Sequence, residues 1–244
     1  MHAPIRRMAY RALRSIGLNV SRHRDPYSDA ARLLAGVPVS AVVDGGAYVG
    51  SAVRRMLDAF PRATVHAFEP QALEFGRLSE SFAGNGRVRL YPQALSNNSG
   101  RATLHITTTA YTTSLLEAAP HSGLHPSGQQ PVETITLDDW WSAQGRPEVA
   151  FLKLDLQGHE LQALMGARRM LAEAVHSVLT EVNFVARYEG QCFFHEVAAF
   201  LHQNGVGFHR LYEWLPLQDG SWRQADALFV RGAGTARDAR GRPA

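Results

Sequence analysis

Residues 39–50, Val39-Ser-Ala-Val-Val-Asp-Gly-Gly-Ala-Tyr-Val-Gly50, constrain this chain more than any other stretch. The apolar run Val39–Val43 reads as a buried strand of a parallel sheet. It stops on Asp44 and turns through Gly45, Gly46, Ala47 and Gly50. A helix pattern follows at once, with Val53, Met56, Leu57 and Phe60 on one face. A strand, a glycine turn and a helix N-terminus make a nucleotide cradle. Glycine lets a ligand approach the backbone, and the free N–H groups of the first helical turn face it.

The next strand, Thr64–Phe68, ends in Glu69-Pro70. An acidic side chain roughly 20 residues past such a turn is placed to grip a ribose diol. A nicotinamide enzyme normally shows G-x-G-x-x-G, whereas this chain has Asp44-Gly-Gly-Ala-Tyr-Val-Gly50. A carboxylate where the first strand ends suits a ligand with an ammonium group near the turn, such as S-adenosylmethionine. The bland alternative makes Asp44 a helix cap and the glycines a plain tight turn.

With 244 residues and 45% hydrophobic content, the chain can bury a full α/β core. No run of about 18 apolar residues exists, and the N-terminus lacks the apolar block of a secretory signal. Cys192 is alone, which excludes a disulfide framework and a cysteine-built zinc site. The expected setting is cytoplasmic. Lys153 is the sole lysine among 25 basic residues. Arginines crowd both ends, at Arg6, Arg7, Arg11, Arg14, Arg22 and Arg24, then at Arg237, Arg240 and Arg242. Such ends can meet phosphate, nucleic acid or a membrane surface, although solvated termini are commoner.

In chain order, residues 1–38 read as a basic helical extension. Within it, an amphipathic helix over 5–16 packs on its own domain, pairs with another subunit or lies on a membrane surface. A second helix runs from Pro26 to about Ala35. A domain over 39–231 then alternates strands and helices: strand 39–44, helix 50–59, strand 63–68, helix 71–83, strands 87–91 and 101–107. The segment 107–131, rich in Thr, Ser, Gly, Pro and His, is the longest irregular stretch and is expected to be an acceptor-binding lid. Beyond it come strand 132–137, a short helix from Asp138, strand 149–154, helix 159–172, strand 176–182, helix 194–204 and strands 207–213 and 225–230. The pattern predicts a doubly wound, mostly parallel, Rossmann-like sheet closed by a reversed C-terminal hairpin strand. The tail from Gly232 is expected to be disordered.

The second loaded segment is Phe151-Leu-Lys-Leu-Asp-Leu-Gln-Gly-His-Glu160. A buried strand places Lys153 and Asp155 at its carboxyl end, where open parallel sheets bind ligands. Three candidates for acid–base work follow. Asp155 comes first, then Lys153 if burial lowers its pKa, then His159 with its convenient ordinary pKa. Glu160 can cap the following helix. Asp155, Glu160 and Glu181 could together supply hard oxygen ligands to magnesium, though no spacing demands it. His121 and His125 read as lid residues, and Trp140, Trp141, Tyr111 and Trp214 as possible platforms for a sugar ring.

Val42–Gly50, Ala67-Phe-Glu-Pro70 and Lys153–Glu160 resemble the FkbM family of S-adenosylmethionine-dependent O-methyltransferases. Supporting pieces are Ala94-Leu-Ser96, Thr136-Leu-Asp-Asp139, Gly166-Ala167, Glu181-Val182 and Asp226-Ala-Leu-Phe229. The resemblance spans roughly residues 40–231 and implies a class I methyltransferase fold. It also implies Asp44, Gly46 and Gly50 around the methionine end of the cofactor, Glu69 on the ribose, Gln93 and Ala94 beside the adenine, and Asp155 near the reaction centre. Gly45, Ala47, Ser51 and Pro70 complete the expected cofactor set. Tyr48 stands where the family often has Asn, and Gln157 where it often has Glu.

The sequence thus predicts S-adenosylmethionine-dependent O-methylation of a sugar, glycan or natural-product hydroxyl, with magnesium an optional partner and a homo-oligomer an open possibility. No nucleic-acid partner is expected. Two alternatives stand beside this reading: a nucleic-acid-binding protein governed by its basic ends, and a non-catalytic methyltransferase-like scaffold.

Overall fold

A computed structural model describes residues 24–232. The helix expected over 5–16 and the tail beyond residue 232 lie outside the described residues.

The chain builds a seven-stranded sheet from β1 (Ala41–Gly45), β2 (Thr64–Phe68), β3 (Val88–Tyr91), β7 (Val149–Leu154), β8 (Ser177–Asn183), β9 (Val206–Pro216) and β10 (Trp222–Arg231). Their spatial order is β3-β2-β1-β7-β8-β10-β9. Neighbours from β3 across to β8 are parallel, and β10 runs antiparallel to both β8 and β9. The reversed hairpin strand is therefore present. β7 is buried along its whole length, as a central strand covered on both faces must be.

Helices fill the two faces. One face carries α1 (Pro26–Leu33), α2 (Ser51–Ala59) and α3 (Ala72–Ser81), whose Tyr27, Ala30, Val53, Met56 and Leu78 pack with Val42, Val65 and Phe151. Asp25 caps α1 by accepting from Ser28 N, and Arg55 of α2 pairs with Asp25 and lies 4.2 Å over the Tyr27 ring. α1 is thus bound into the same core as the first strand.

The other face carries α4 (Leu137–Ala143), α5 (Glu160–Met165), α6 (Arg168–Glu173) and α7 (Phe194–Gln203). The single helix expected over 159–172 is broken into α5 and α6 at Gly166-Ala167. The break follows from a tertiary contact: Gly166 O accepts from Asp138 N, and the Asp138 carboxylate accepts from Arg169 N and Met170 N at the start of α6. A distant aspartate supplies the second cap, so α6 starts afresh.

Trp140 is 2% exposed and meets the rings of His66, Phe68 and Tyr91 edge-on, with centroids 4.9–6.1 Å away. Trp141 is equally buried and donates its indole N–H to Pro147 O. Neither is free to stack on a sugar. Each contributes on the order of 1.5–3 kcal/mol of burial to the core. Tyr111 and Trp214, 65% and 50% exposed, remain available.

A second, three-stranded sheet, β4 (Ala94–Leu95), β6 (Pro126–Ile135) and β5 (Gly100–Thr107), does not emerge from the sequence pattern. β6 begins six residues earlier than the expected strand at 132, so the irregular segment shrinks from 107–131 to 108–125 and includes a short 3-10 turn, Ala110–Thr112. Its polar residues hide a strand because β6 pairs mainly along an exposed face, with only Val132 and Thr134 buried.

Candidate active site

The parallel register of β1 and β7 sets Asp44 opposite Lys153 and Gly45 opposite Leu154. Paired residues share a face of the sheet, so the only lysine of the chain meets the strand-end aspartate inside the core. Lys153 Nζ lies 3.1 Å from Asp44 Oδ1 and 3.8 Å from Asp155 Oδ2, and it donates to Gly46 O at 3.2 Å. Burial opposes the charge of Lys153, but Asp44 and then Asp155 outweigh it and hold the ammonium above its ordinary pKa. The expectation of a lysine base is therefore reversed. Lys153 is a fixed cation that orients Asp155.

A cavity of ≈ 340 Å³ opens at the carboxyl ends of β1, β2 and β7. Of the expected cofactor set, Gly46, Ala47, Ser51, Glu69, Pro70, Gln93, Ala94 and Asp155 line it, as do Lys153 and His159. Asp44, Gly45 and Gly50 do not. Asp44 is wholly buried against Lys153 and faces no ligand space. Gly50 sits behind the wall, where a Cβ would come within 2.3 Å of the Phe82 ring. Gly46, at φ +77°, lets the Asp155 carbonyl approach to within 2.0 Å of where its Cβ would be. That contact draws the ends of β1 and β7 together beneath the cavity, and only glycine permits it.

The amides of the turn are not free. Gly46 N and Ala47 N both donate to Phe68 O, and Tyr48 N donates to Glu69 Oε2 at 2.8 Å. The first turn of α2 also borders the cavity, through Ser51 and Ala52.

Glu69 Oε1 accepts from Gln71 N at 2.9 Å, so two backbone amides hold the carboxylate at the end of β2. Burial pushes its pKa up to about 7 despite those two donors. Phe68, Ala94, Leu95 and Leu104 supply the apolar part of the cavity wall.

At the other end of the cavity, the Asp155 side chain is 39% exposed, and its Oδ1 accepts from Gln157 Nε2 at 2.9 Å. His159, at the N-cap of α5, has Nε2 3.1 Å from Ser96 Oγ, and burial lowers its pKa to about 4. It is a neutral ring at physiological pH.

Asp155, Glu160 and Glu181 do converge, with one carboxylate oxygen from each within 4.8 Å of the others. Glu160 Oε1 already accepts from Leu156 N and Gly158 N, at 2.7 and 3.2 Å. Glu181 accepts from the side-chain amides of Gln157 and Gln224. Of the three, only Asp155 reaches the cavity. Magnesium keeps several waters and demands octahedral oxygens, so it would have to displace those donors from two buried side chains. Burial, and then the neighbouring carboxylates, raise Glu160 to about 7 and Glu181 well above its usual range, which favours a proton held in the cluster.

From the segment expected to meet the acceptor, Ala110, Tyr111, Thr113, Ser114 and Leu115 line the cavity, whereas His121 and His125 do not, and of these five only Tyr111 was singled out individually by the sequence. Tyr48 and Gln157, both lining and both at positive φ, were visible only as departures from the family pattern.

A doubly wound sheet with one reversed strand near its edge, and a ligand cavity between an acidic residue after β2 and a charged cluster after β7, define a class I methyltransferase. A sequence profile of the methyltransferase FkbM domain matches residues 44–208, and the chain belongs to that family. It is similar to the 2-O-methyltransferase NoeI of Sinorhizobium fredii, at 28% identity over 165 residues, covering 63% of this chain and 68% of that one. It is also similar to the hexuronic acid methyltransferase AglP of Haloferax volcanii, at 29% identity over 123 residues, covering 50% of this chain and 48% of that one. Among solved structures, methyltransferase FkbM from Methylobacillus flagellatus KT superposes with a TM-score of 0.52 at 16% identity, over 85% of this chain and 48% of that one. The chain therefore spans about half the length of the second relative and of that structure.

The family implies S-adenosylmethionine, and the residues fit it. Glu69 offers buried acceptor oxygens for a ribose diol, the Ala94–Leu104 wall suits an adenine, and the Asp155 end is polar enough for the methionine moiety. No helix among the described residues is long and apolar enough to cross a membrane.

Proposed function

We propose that this protein methylates a hydroxyl of a sugar or glycan acceptor, with S-adenosylmethionine as donor and Asp155 as the group that receives the hydroxyl proton. The observation that carries the reading is the cavity itself. It has a ribose-type carboxylate, Glu69, at one end and a carboxylate held between Lys153 and Gln157, Asp155, at the other. The cofactor, when bound, supplies an electrophilic methyl group on a sulfonium.

The chain contributes position and proton handling. Orienting the acceptor oxygen in line with the methyl carbon supplies most of the rate. As the C–O bond forms and the C–S bond breaks, the hydroxyl proton passes to the Asp155 carboxylate, beside which Lys153 remains charged. His159 lines the cavity, but its Nε2 lies 3.1 Å from Ser96 Oγ and its Nδ1 is buried, so neither ring nitrogen is placed to take the proton. The sugar class is supported by the name of the hexuronic acid methyltransferase and by Tyr111, an exposed ring on the cavity wall.

Transfer of labelled methyl to a panel of monosaccharides, uronic acids and oligosaccharides tests this reading. Labelled product that survives base treatment, as an ether does and an ester does not, supports it. Cofactor binding with no transfer to any panel member, in a folded sample, points instead to a scaffold. Tyr111→Ala is expected to raise the acceptor KM roughly 5- to 30-fold, the loss of about 1–2 kcal/mol of ring contact, with little change in kcat. An unchanged KM removes Tyr111 from the acceptor site.

The raised pKa of Glu69 has a consequence for cofactor affinity. Ribose hydroxyls donate to the ionised carboxylate, so binding below pH 7 must first expel its proton. With the pKa near 7, affinity for S-adenosylhomocysteine is expected to rise about tenfold from pH 6 to pH 8. Glu69→Gln should flatten this dependence in calorimetric titrations, and a wild-type affinity independent of pH would contradict the assignment.

A further inference from the structure

Gln157 adopts φ +53° and is followed by Gly158 at φ +94°. A non-glycine side chain held in the left-handed region is strained unless its surroundings fix it there. Here they do, through both ends of its side-chain amide and its own carbonyl. The residue is 8% exposed. Its Nε2 donates to Asp155 Oδ1 at 2.9 Å and approaches Glu181 Oε1 at 3.5 Å. Its Oε1 lies 2.8 Å from the Tyr188 hydroxyl, which also lies 2.9 Å from Thr112 O. Its own carbonyl accepts from Ser114 Oγ at 2.8 Å.

These contacts determine the orientation of the amide. The Asp155 carboxylate on one side can only accept, whereas the hydroxyl on the other can donate or accept, so the NH₂ group faces Asp155. Asp155 is then held from both sides, by Gln157 at Oδ1 and by Lys153 at 3.8 Å from Oδ2. The far end of the linkage reaches the acceptor side. Thr113 and Ser114 line the cavity, and the segment containing them is tied to the Tyr188 loop. Those ties run from Ala119 N to Arg187 O, from Glu189 N to Glu117 O and through the bridge Ala118–Tyr188.

We propose that Gln157 is a positioning residue, clamped between Tyr188 and Ser114, whose side-chain amide aims the Asp155 carboxylate at the acceptor and ties it to the cavity wall at 112–115. The inference rests on the proposed role of Asp155 as proton acceptor. It predicts more than a stabilising role would. A carboxylate that is present but mis-aimed loses turnover, while the contacts that bind cofactor and acceptor stay in place.

The test is the split between kcat on one side and acceptor KM and S-adenosylhomocysteine affinity on the other, in wild type, Gln157→Met, Tyr188→Phe and the double variant. Met keeps the length of the side chain and removes both ends of the amide. Tyr188→Phe removes one oxygen and leaves Gln157 present but unanchored. Gln157→Met is expected to lower kcat roughly 10- to 100-fold. Cofactor affinity should stay within threefold and acceptor KM within twofold. Tyr188→Phe should do the same to a smaller degree, and the double variant should be no worse than Gln157→Met, because both act through one bond. Should Gln157→Met fail to fold, Tyr188→Phe carries the test alone. A kcat that stays within twofold of wild type in the folded variants, or a loss matched equally by cofactor affinity or acceptor KM, overturns the inference while leaving the proposed function intact. A wild type that binds cofactor but methylates nothing overturns the function first, and the inference with it.

Discussion

Asp155→Asn is expected to reduce kcat by roughly 10²- to 10⁴-fold while leaving S-adenosylhomocysteine affinity within about threefold. Asparagine keeps the size of the side chain and its contact with Gln157, but it cannot take a proton. Lys153 cannot replace it, because Asp44 holds the ammonium charged at 3.1 Å. His159 cannot readily do so either, since its Nε2 meets Ser96 Oγ at 3.1 Å and its Nδ1 is buried. With both neighbours removed from contention, little residual general-base catalysis should remain. What survives is rate from positioning alone. A variant that turns over at a tenth of the wild-type rate or better would remove Asp155 from proton transfer and return the role to solvent or to the acceptor itself.

Glu69→Ala is expected to weaken cofactor binding roughly 30- to 150-fold, equivalent to about 2–3 kcal/mol for hydrogen bonds to a charged acceptor. The substitution also frees Tyr48 N and Gln71 N, which lie on the two sides of the cavity wall. Glu69→Gln separates the effects, because it keeps an acceptor for one amide and loses the charge. Calorimetry on both variants reads them directly. Alanine and wild type binding alike would empty the ribose assignment and leave the family's cofactor with no anchor at this strand end.

The same two residues show how much could be read without a structure. Glu69 and Asp155 announce themselves because each ends an apolar run, and in a parallel sheet the end of a strand is also the place where ligands bind. Local pattern and site position coincide there. The strand–turn–helix segment around Gly46, the alternation of strands and helices and the reversed β10 are legible for a similar reason. They depend on periodicity and chain order, which sequence carries directly.

Contacts between distant residues obey no such rule. Asp44 reads in sequence as a ligand-facing carboxylate or as a helix cap, and the pairing of β1 with β7 makes it a buried counter-ion instead by placing Lys153 beside it. The same register reverses the expected pKa of Lys153, because a lysine buried alone and a lysine buried between two aspartates are identical in sequence and opposite in electrostatics. The break at Gly166 needs Asp138 from another helix, and β6 needs β5 beside it before its polar residues become a strand. Gln157 gives no signal of its own beyond a glycine after it. Its role arises where segments from residues 112–114, 155–157, 181 and 188 converge, separated by dozens of residues along the chain and by hydrogen-bond distances in space. Sequence determines what each segment can become on its own. Tertiary structure decides which charges meet, and the chemistry of this site depends on those meetings.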